Sequence, residues 1–404
     1  MQMTLPADST CSARYIEKGL RGNDSLALYF HWPFCLSKCP YCDFNSHVAS
    51  DVDDAEWRNA LLTETKRIAP QLRTRRISSI FFGGGTPSLM APETVSAILD
   101  LVACHWTIDN QAEITLEANP TSSDVGRFRD FRQAGINRLS LGIQALDDTA
   151  LRFLGRGHNS KEAISAALIA QTVFQRTSVD LIYGRPQQSV KAWCLELEQA
   201  LELVSDHISL YQLTVEKGTA FYDAHRLGKF TLPQDERALS LFEATQELLD
   251  EAGLPAYEIS NHAKAGGESK HNLAYWRYQD YVGIGPGAHS RIMIDSQIHA
   301  LEQIRAPARW LNATIRRNSG SLRDESLTRA QCIREMIMMG LRLRGGIDRK
   351  WFMRRLGVDL NNALDLPAVQ RMENAGLIVN DAASLRLSAR GRTLLDTVLA
   401  TLLP

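Results

Sequence analysis

Three cysteines fall on one short stretch, as Cys35-x3-Cys39-x2-Cys42. Thiolates at this spacing can turn inward on a single metal centre. Three make an incomplete shell, because structural zinc takes about four ligands and iron–sulfur clusters take about four thiolates. Either a further residue completes the set, with His31 or His47 able to close a Cys3His zinc site, or one coordination position stays open for chemistry. The open case points to a [4Fe–4S] cluster with one iron free for an exogenous ligand. The chain holds 7 cysteines in all. An odd, uneven set in a long chain is not the disulfide framework of a small secreted domain. Cys11, Cys104, Cys194 and Cys332 stand singly and are expected to be small buried hydrophobes.

A cluster loop needs elements to hold it. Short β-rich runs alternate with amphipathic stretches after residue 24. The strands are predicted at Ala27–His31, Ile77–Phe82, Ala112–Glu117, Arg138–Gly142, Ser178–Tyr183 and His207–Leu213. Helical patterns lie between them at Asp53–Ile68, Pro92–Cys104, Val125–Ala134, Lys161–Phe174 and Val190–Val204. Apolar strands alternating with helices imply a parallel sheet covered by helices. Six such units predict an α/β fold built as an incomplete (β/α)6 barrel rather than a closed eight-fold one. Chemistry in such barrels collects at the C-terminal ends of strands. Those ends carry His31-Trp32-Pro33-Phe34-Cys35, Gly83-Gly84-Gly85-Thr86-Pro87, Glu117-Ala118-Asn119-Pro120, Gly142-Ile143-Gln144, Asp180-Leu181-Ile182-Tyr183-Gly184 and Gln212-Leu213-Thr214. The glycine run lets backbone approach a neighbour closely; it lacks the Gly-Lys-Ser/Thr ending of a phosphate loop.

Residues 216–320 read as a less regular extension, with a helix over Gln234–Ala252, a Gly/Lys-rich turn over His262–Lys270 and the segment His271-Asn272-Leu273-Ala274-Tyr275-Trp276. Residues 321–404 change character: helices near Thr328–Leu343, Arg349–Leu356 and Leu366–Asn374 precede a hairpin and a last helix over Gly391–Leu403. That outline predicts a small α+β, winged-helix-like domain. The predicted division is thus a flexible leader over 1–24, the partial barrel over 25–215, the extension and the C-terminal domain.

Composition bounds the partners. The 404 residues are 44% hydrophobic and 23% charged, ordinary globular usage that excludes a disordered chain. No uncharged apolar run approaches the ~18 residues of a membrane span, and the leader has no apolar core of a secretory signal. A cytoplasmic protein is the expectation. The net charge of −1 hides an asymmetry: residues 301–404 hold 17 Lys/Arg against 10 Asp/Glu. An anionic partner or an ordinary solvated surface both account for that.

The cysteine motif after a first strand, with Tyr41 just before the last cysteine, resembles the radical S-adenosylmethionine superfamily. The resemblance implies a fourth iron chelated by the amino and carboxylate groups of S-adenosylmethionine, whose reduction yields a deoxyadenosyl radical. Glu117 and Asp180 could then bond ribose hydroxyls or the amino group, and Arg156 the methionyl carboxylate. The match narrows at Tyr29-Phe30-His31-Trp32-Pro33-Phe34-Cys35, Phe82-Gly83-Gly84-Gly85-Thr86-Pro87-Ser88, Leu139-Ser140-Leu141-Gly142-Ile143-Gln144, Gly155-Arg156-Gly157-His158 and Asp180-Leu181-Ile182-Tyr183-Gly184. These are similar to the oxygen-independent coproporphyrinogen III oxidase-like family. By that resemblance Tyr29, Tyr41, Gly84, Gly85, Thr86, Glu117, Gln144, Arg156 and Asp180 contact S-adenosylmethionine.

Two branches of that family differ here. The oxidases carry a further cysteine two residues after the third, where this chain has Phe44, and an N-terminal extension, for which the stretch before Cys35 is short. Cys42-Asp43-Phe44-Asn45-Ser46-His47 and the His271–Trp276 segment resemble the haem-chaperone branch, HemW, which implies binding of haem and its transfer to acceptor proteins. Haem takes an axial ligand and a flat apolar wall; His271 is the candidate ligand, with Tyr275 or Trp276 to stack, and His31, His158 and His289 are alternatives. Without Cys-x-x-Cys-His, a c-type thioether attachment is not indicated. The winged-helix-like cap of this family needs no DNA, so no nucleic-acid partner is expected, and peripheral contact with membrane-bound acceptors stays open. Oxidative decarboxylation of coproporphyrinogen III is the competing function.

Overall fold

The computed structural model describes residues 25–121 and 125–403; the leader expected over 1–24 lies outside the described residues. Eleven strands among them form one open sheet. In chain order these are β1 (Ser25–Trp32), β2 (Arg76–Gly84), β3 (Thr107–Ala118), β4 (Arg138–Gln144), β5 (Arg176–Tyr183), β6 (His207–Gln212), β7 (Asn261–Ala263), β8 (Asp280–Ile284), β9 (His289–Ile294), β10 (Gln297–Gln303) and β11 (Ser321–Ser326). Their spatial order is β11-β10-β9-β8-β1-β2-β3-β4-β5-β6-β7.

The six expected strands are all present and pair in parallel from β1 to β6. A seventh parallel strand, β8, joins on the far side of β1. The extension therefore does not stand apart from the barrel: β8 completes its wall beside the first strand, and β9 to β11 continue it antiparallel. The stretch read as a turn from His262 onward instead begins in β7, three fully buried residues paired antiparallel with β6. Pairing there satisfies backbone groups that burial would otherwise leave without partners.

Alternation along each strand divides the side chains. Leu26, Leu28, Phe30 and Trp32 of β1, with Ile80 and Phe82 of β2, pack outward in the main core against Trp57, Ile98 and Trp310. Those residues come from helices Asp54–Ile68, Pro92–His105 and Pro307–Arg317. The alternate positions put Tyr29, His31, Ser79, Glu113, Glu117, Arg138, Ser140, Ser178 and Asp180 on the concave side. Capping residues start the covering helices where the loops leave the strands: Asp53, Asn159 and Ser189 each accept a backbone N–H of the following turn.

The helix expected over Val125–Ala134 is interrupted at Arg127, with residues 125–126 helical before it and Phe128–Gln133 after it, and residues 122–124 lie outside the described residues. The C-terminal part has its own core of Met336, Ile337, Phe352, Leu385 and Val398. Its hairpin, Ile378–Asn380 with Ser384–Leu387, gains a third strand from Ile347–Asp348. The last helix divides into Ala389–Arg392 and Leu395–Leu402. Buried Arg355 ties this part to the sheet through Asp280 at 2.5 Å, and Glu335 pairs with Arg291 at 2.8 Å.

The single cysteines differ from expectation. Cys332 is buried, but Cys194 is half-buried and Cys104 exposed, because both sit on outward positions of amphipathic helices; Cys11 lies outside the described residues.

Candidate functional site

β1 ends at Trp32, and Phe34–Cys35 pairs at once with His47–Val48, closing the cysteine loop on itself. Cys42 N–H donates to the Cys39 carbonyl at 3.1 Å, which turns the loop between the last two cysteines. The glycine run of β2 packs against this loop. A Cβ on Gly84, whose φ is +119°, would lie 2.6 Å from the His31 ring, and one on Gly85 would lie 2.7 Å from the Phe34 carbonyl. Gly85 N–H donates to Trp32 and Thr86 N–H to Phe34. The glycines are thus required, first, by backbone–backbone approach between β2 and the cysteine loop.

The thiols face donors from three directions. Thr86 Oγ1 donates to Cys35 Sγ at 3.3 Å, Arg156 Nη1 to Cys39 Sγ at 3.3 Å, and Cys42 Sγ lies 3.5 Å from Ser46 Oγ. Burial pushes the Cys35 thiol up, against the Thr86 hydrogen bond. Asn119 joins two of these arms: its amide donates to Thr86 at 3.3 Å and its carbonyl oxygen accepts from Arg156. Arg156 also donates to the Gly142 carbonyl at 2.9 Å. A continuous chain, Cys35–Thr86–Asn119–Arg156–Cys39, therefore spans β2, β3 and the loop after β4. Asn119 is the residue that sequence reasoning passed over, although it stands in a strand-end motif already quoted.

Neither histidine offered for zinc completes a cage. His31 has both ring nitrogens engaged, with Tyr29 Oη and the Asn45 carbonyl at 2.9 Å each, and His47 bonds Asn45 Oδ1 at 3.1 Å. Among the described residues no three His, Cys, Asp or Glu side chains are grouped to hold a bare metal ion. Three thiols without a fourth side-chain ligand, two of them accepting hydrogen bonds from Thr86 and Arg156, fit a cluster with an open iron better than a single ion.

Deeper in the barrel sit two carboxylates. Glu117 accepts from Gly84 N–H at 3.1 Å; burial, and then the Asp180 charge, push its carboxyl up to about 8. Asp180 accepts from Ser140 at 3.2 Å and Ser178 at 3.4 Å; burial raises it too, against serine hydrogen bonds and Arg138. Raised carboxyls side by side lower their energy by meeting a cation. Gln144 ends β4 with φ +65°, a left-handed conformation for a non-glycine residue. Tyr41 packs at a tilt against Phe221, 6.3 Å between centroids. Tyr29, Gly84, Gly85, Thr86, Glu117, Arg156 and the three cysteines are linked by the contacts above.

His271 lies deeper, with its ring centroid 6.2 Å from that of Tyr29. It sits on helix Lys270–Trp276, 1% exposed, inside the floor of the barrel. Its Nδ1 meets Ser79 Oγ at 3.1 Å, and its ring stacks on Phe81 at 5.0 Å and meets Tyr275 edge-on at 4.7 Å. Nε2 has no protein partner. Burial lowers its pKa to about 3, so the imidazole is neutral. His158 bonds the Ile143 carbonyl at 3.1 Å, and His289 is exposed on β9.

Parallel strands, helices on the convex side and a three-cysteine loop after the first strand define a radical S-adenosylmethionine fold. Residues 29–194 match the radical SAM superfamily and residues 327–394 the HemN C-terminal domain. The chain belongs to the branch of that superfamily that includes the haem chaperones HemW and the mitochondrial radical S-adenosyl methionine domain-containing protein 1. It is 36% identical to heme chaperone HemW of Haemophilus influenzae, over 93% of this chain and 97% of that protein. It is 38% identical to the mitochondrial protein of Bos taurus, over 100% of this chain and 92% of that one. In fold it is similar to coproporphyrinogen III oxidase (HemN) from Escherichia coli, with a TM-score of 0.78 and 23% identity, covering 94% of this chain and 90% of the other.

Proposed function

We propose that this chain binds haem and passes it to acceptor proteins, while carrying a [4Fe–4S] cluster on Cys35, Cys39 and Cys42 and S-adenosylmethionine at the strand ends. The observation that carries the reading is end-to-end similarity to proteins named heme chaperone HemW, combined with Phe44 in the place of the oxidases' further cysteine. When bound, the cluster would supply one electron to S-adenosylmethionine at its open iron. The protein's own part is to hold and orient. Thr86, Asn119 and Arg156 brace two cysteines, Arg156 offers a guanidinium to a carboxylate, and Glu117 and Asp180 present carboxyls to a cationic group. Tyr29, Tyr41, Gly84, Gly85 and Gln144 complete the proposed contacts.

His271 supports haem ligation by one feature, a neutral imidazole with Nε2 unpartnered. Its burial means that a macrocycle reaches it only when helix Lys270–Trp276 leaves the barrel floor. Its packing supports equally a role in seating that helix. His271→Ala distinguishes the two, since a ligand role predicts an altered Soret band and a seating role does not.

Acceptor proteins are part of the proposal, and so is a cytoplasmic location, which cell fractionation tests against the mitochondrial one in the mammalian relatives' name. No helix among the described residues is long and apolar enough to cross a membrane. The deciding experiment is haem titration of anaerobically reconstituted protein: a saturable Soret band at stoichiometric haem is expected, and its absence overturns the reading. An anaerobic assay with reductant and coproporphyrinogen III tests the oxidase alternative, with no sustained vinyl product expected.

A further inference from the structure

Helix Lys270–Trp276 has two working faces. His271 and Tyr275 turn into the barrel. Lys270, Leu273 and Trp276, with Arg277 at its end, turn the other way and line a cleft of about 1460 Å³ between the barrel floor and the C-terminal part. Small-molecule sites run to roughly 300–1,000 Å³, so this cleft has room for a macrocycle.

Its walls are aromatic and cationic. Trp276 and Tyr257 come from the extension, Trp351 from helix Arg349–Leu356 opposite. Trp351 Nε1 donates to the Arg277 carbonyl at 2.6 Å, which joins the two sides. Arg354 lies 5.6 Å from the Trp351 ring centroid. Five cations line the cleft, Lys270, Arg277, Arg344, Arg354 and Arg386, against two acids, Glu268 and Asp348. Asp348 is engaged as a helix cap by Trp351 N–H, and Arg344 and Arg386 pair with Asp250 and Asp381. Arg277 and Arg354 have no carboxylate partner among the described residues and stand exposed at the rim. Arg342 lies 4.6 Å from the Trp276 ring centroid, so each tryptophan carries a guanidinium on one side of its ring; aromatic walls so arranged, with guanidinium groups at the rim, complement a planar apolar ligand that carries carboxylates at one edge.

We propose that this cleft is a binding site for a planar tetrapyrrole dicarboxylate, with Arg277 and Arg354 meeting the carboxylates and Trp276 and Trp351 facing the ring. The assignment rests on the haem reading above and adds to it a place distinct from the cysteine mouth. It needs no displacement of His271.

The test uses the full, cluster-loaded protein, titrated with haem and separately with metal-free protoporphyrin IX, read by Soret absorption and by quenching of tryptophan fluorescence. The variant is Arg277→Glu combined with Arg354→Glu, both at exposed positions. Both ligands are expected to bind the unmodified protein. The double charge reversal is expected to weaken both by roughly tenfold or more, as two reversed, partly exposed ion pairs do. Iron–sulfur absorption equal to that of the unmodified protein verifies folding. Full affinity in the double variant overturns the cleft assignment and leaves the haem reading standing. Haem binding without protoporphyrin binding also overturns it, since recognition would then run through the iron. Failure of the unmodified protein to bind haem overturns both.

Discussion

The two ends of the barrel hold polar groups in different ways. At the cysteine mouth, Cys35, Thr86, Asn119, Arg156 and Cys39 form a chain of contacts that reaches solvent, and its members come from the connecting segments that follow β1 to β4. At the floor, Glu113 is 3% exposed and gathers groups from far along the chain: Arg176 at 2.8 Å, Arg138 at 3.8 Å, Ser269 Oγ at 3.1 Å and the His271 N–H at 3.3 Å. Ser269 is the cap of helix Lys270–Trp276, so one carboxylate seats the whole plug. The mouth is arranged to receive a group and the floor to exclude one. Mutations at the two ends should therefore separate cofactor content from stability.

The largest effect is expected at the mouth. Cys39→Ala, like Cys35→Ala or Cys42→Ala, should abolish visible iron–sulfur absorption and reduce bound iron and sulfide to background, with the fold retained by circular dichroism. A variant that keeps full iron content would show that its thiol is not a ligand. At the floor the pattern should invert. Glu113→Ala removes the carboxylate that Arg138, itself 2% exposed, and Arg176 share, and breaking a buried ion pair costs about 3–5 kcal/mol. A fall in melting temperature of roughly 5 °C follows, with cluster content per folded chain unchanged. Unaltered thermal stability would remove Glu113 as the seat of the plug.

A subtler contrast concerns protons. Glu117 carries its proton up to about pH 8 in the free barrel, and a cationic ligand favours the ionised form. Binding of S-adenosylmethionine should therefore release a proton and strengthen with pH, by at most about tenfold per pH unit, levelling above about 8. The difference between the unmodified protein and Glu117→Gln, in calorimetry across buffers, isolates this carboxyl from the ligand's own titration. Stability without ligand runs the opposite way. The folded carboxyl is raised from 4.5 to about 8, so the unfolded state ionises first and stability falls as pH rises through that window. Glu117→Gln should relieve this fall, and an unchanged pH slope would show that Glu117 is already ionised.

The same contrast explains what could be read from the sequence. The mouth is composed of local motifs: the cysteine spacing, the triple glycine, and carboxylates or amides that end strands. Largely apolar, β-rich runs located β1 to β6, and the amphipathic stretches between them located the covering helices. β8 escaped because Asp280–Ile284 is short and follows an irregular stretch, and only pairing with β1 declares it a strand. The floor escaped because Glu113, Ser269 and His271 are separated by some 150 residues and meet only through the fold. His271 was visible as a motif residue, but its direction was not. The helix that carries it decides which side chains enter the barrel and which face the cleft, and that is set by tertiary packing rather than by local spacing.

The smallest effect expected is also the one that bears most on the branch. Phe44 is 62% exposed, on a loop pinned beside it, where Asn45 Nδ2 donates to the Pro286 and Arg305 carbonyls at 2.9 Å each. Those bonds hold the neighbouring backbone while leaving residue 44 outside the packed mouth. Phe44→Cys should therefore shift stability by no more than about 0.5 kcal/mol. Prepared anaerobically, it should leave iron content, haem affinity and the electron paramagnetic resonance of the reduced cluster unchanged, and produce no vinyl product from coproporphyrinogen III. The oxidase chemistry of the wider family would then depend on more than this cysteine. If the variant gains product formation, one side chain at the mouth decides between the two functions, and the floor and its cleft contribute nothing to the choice.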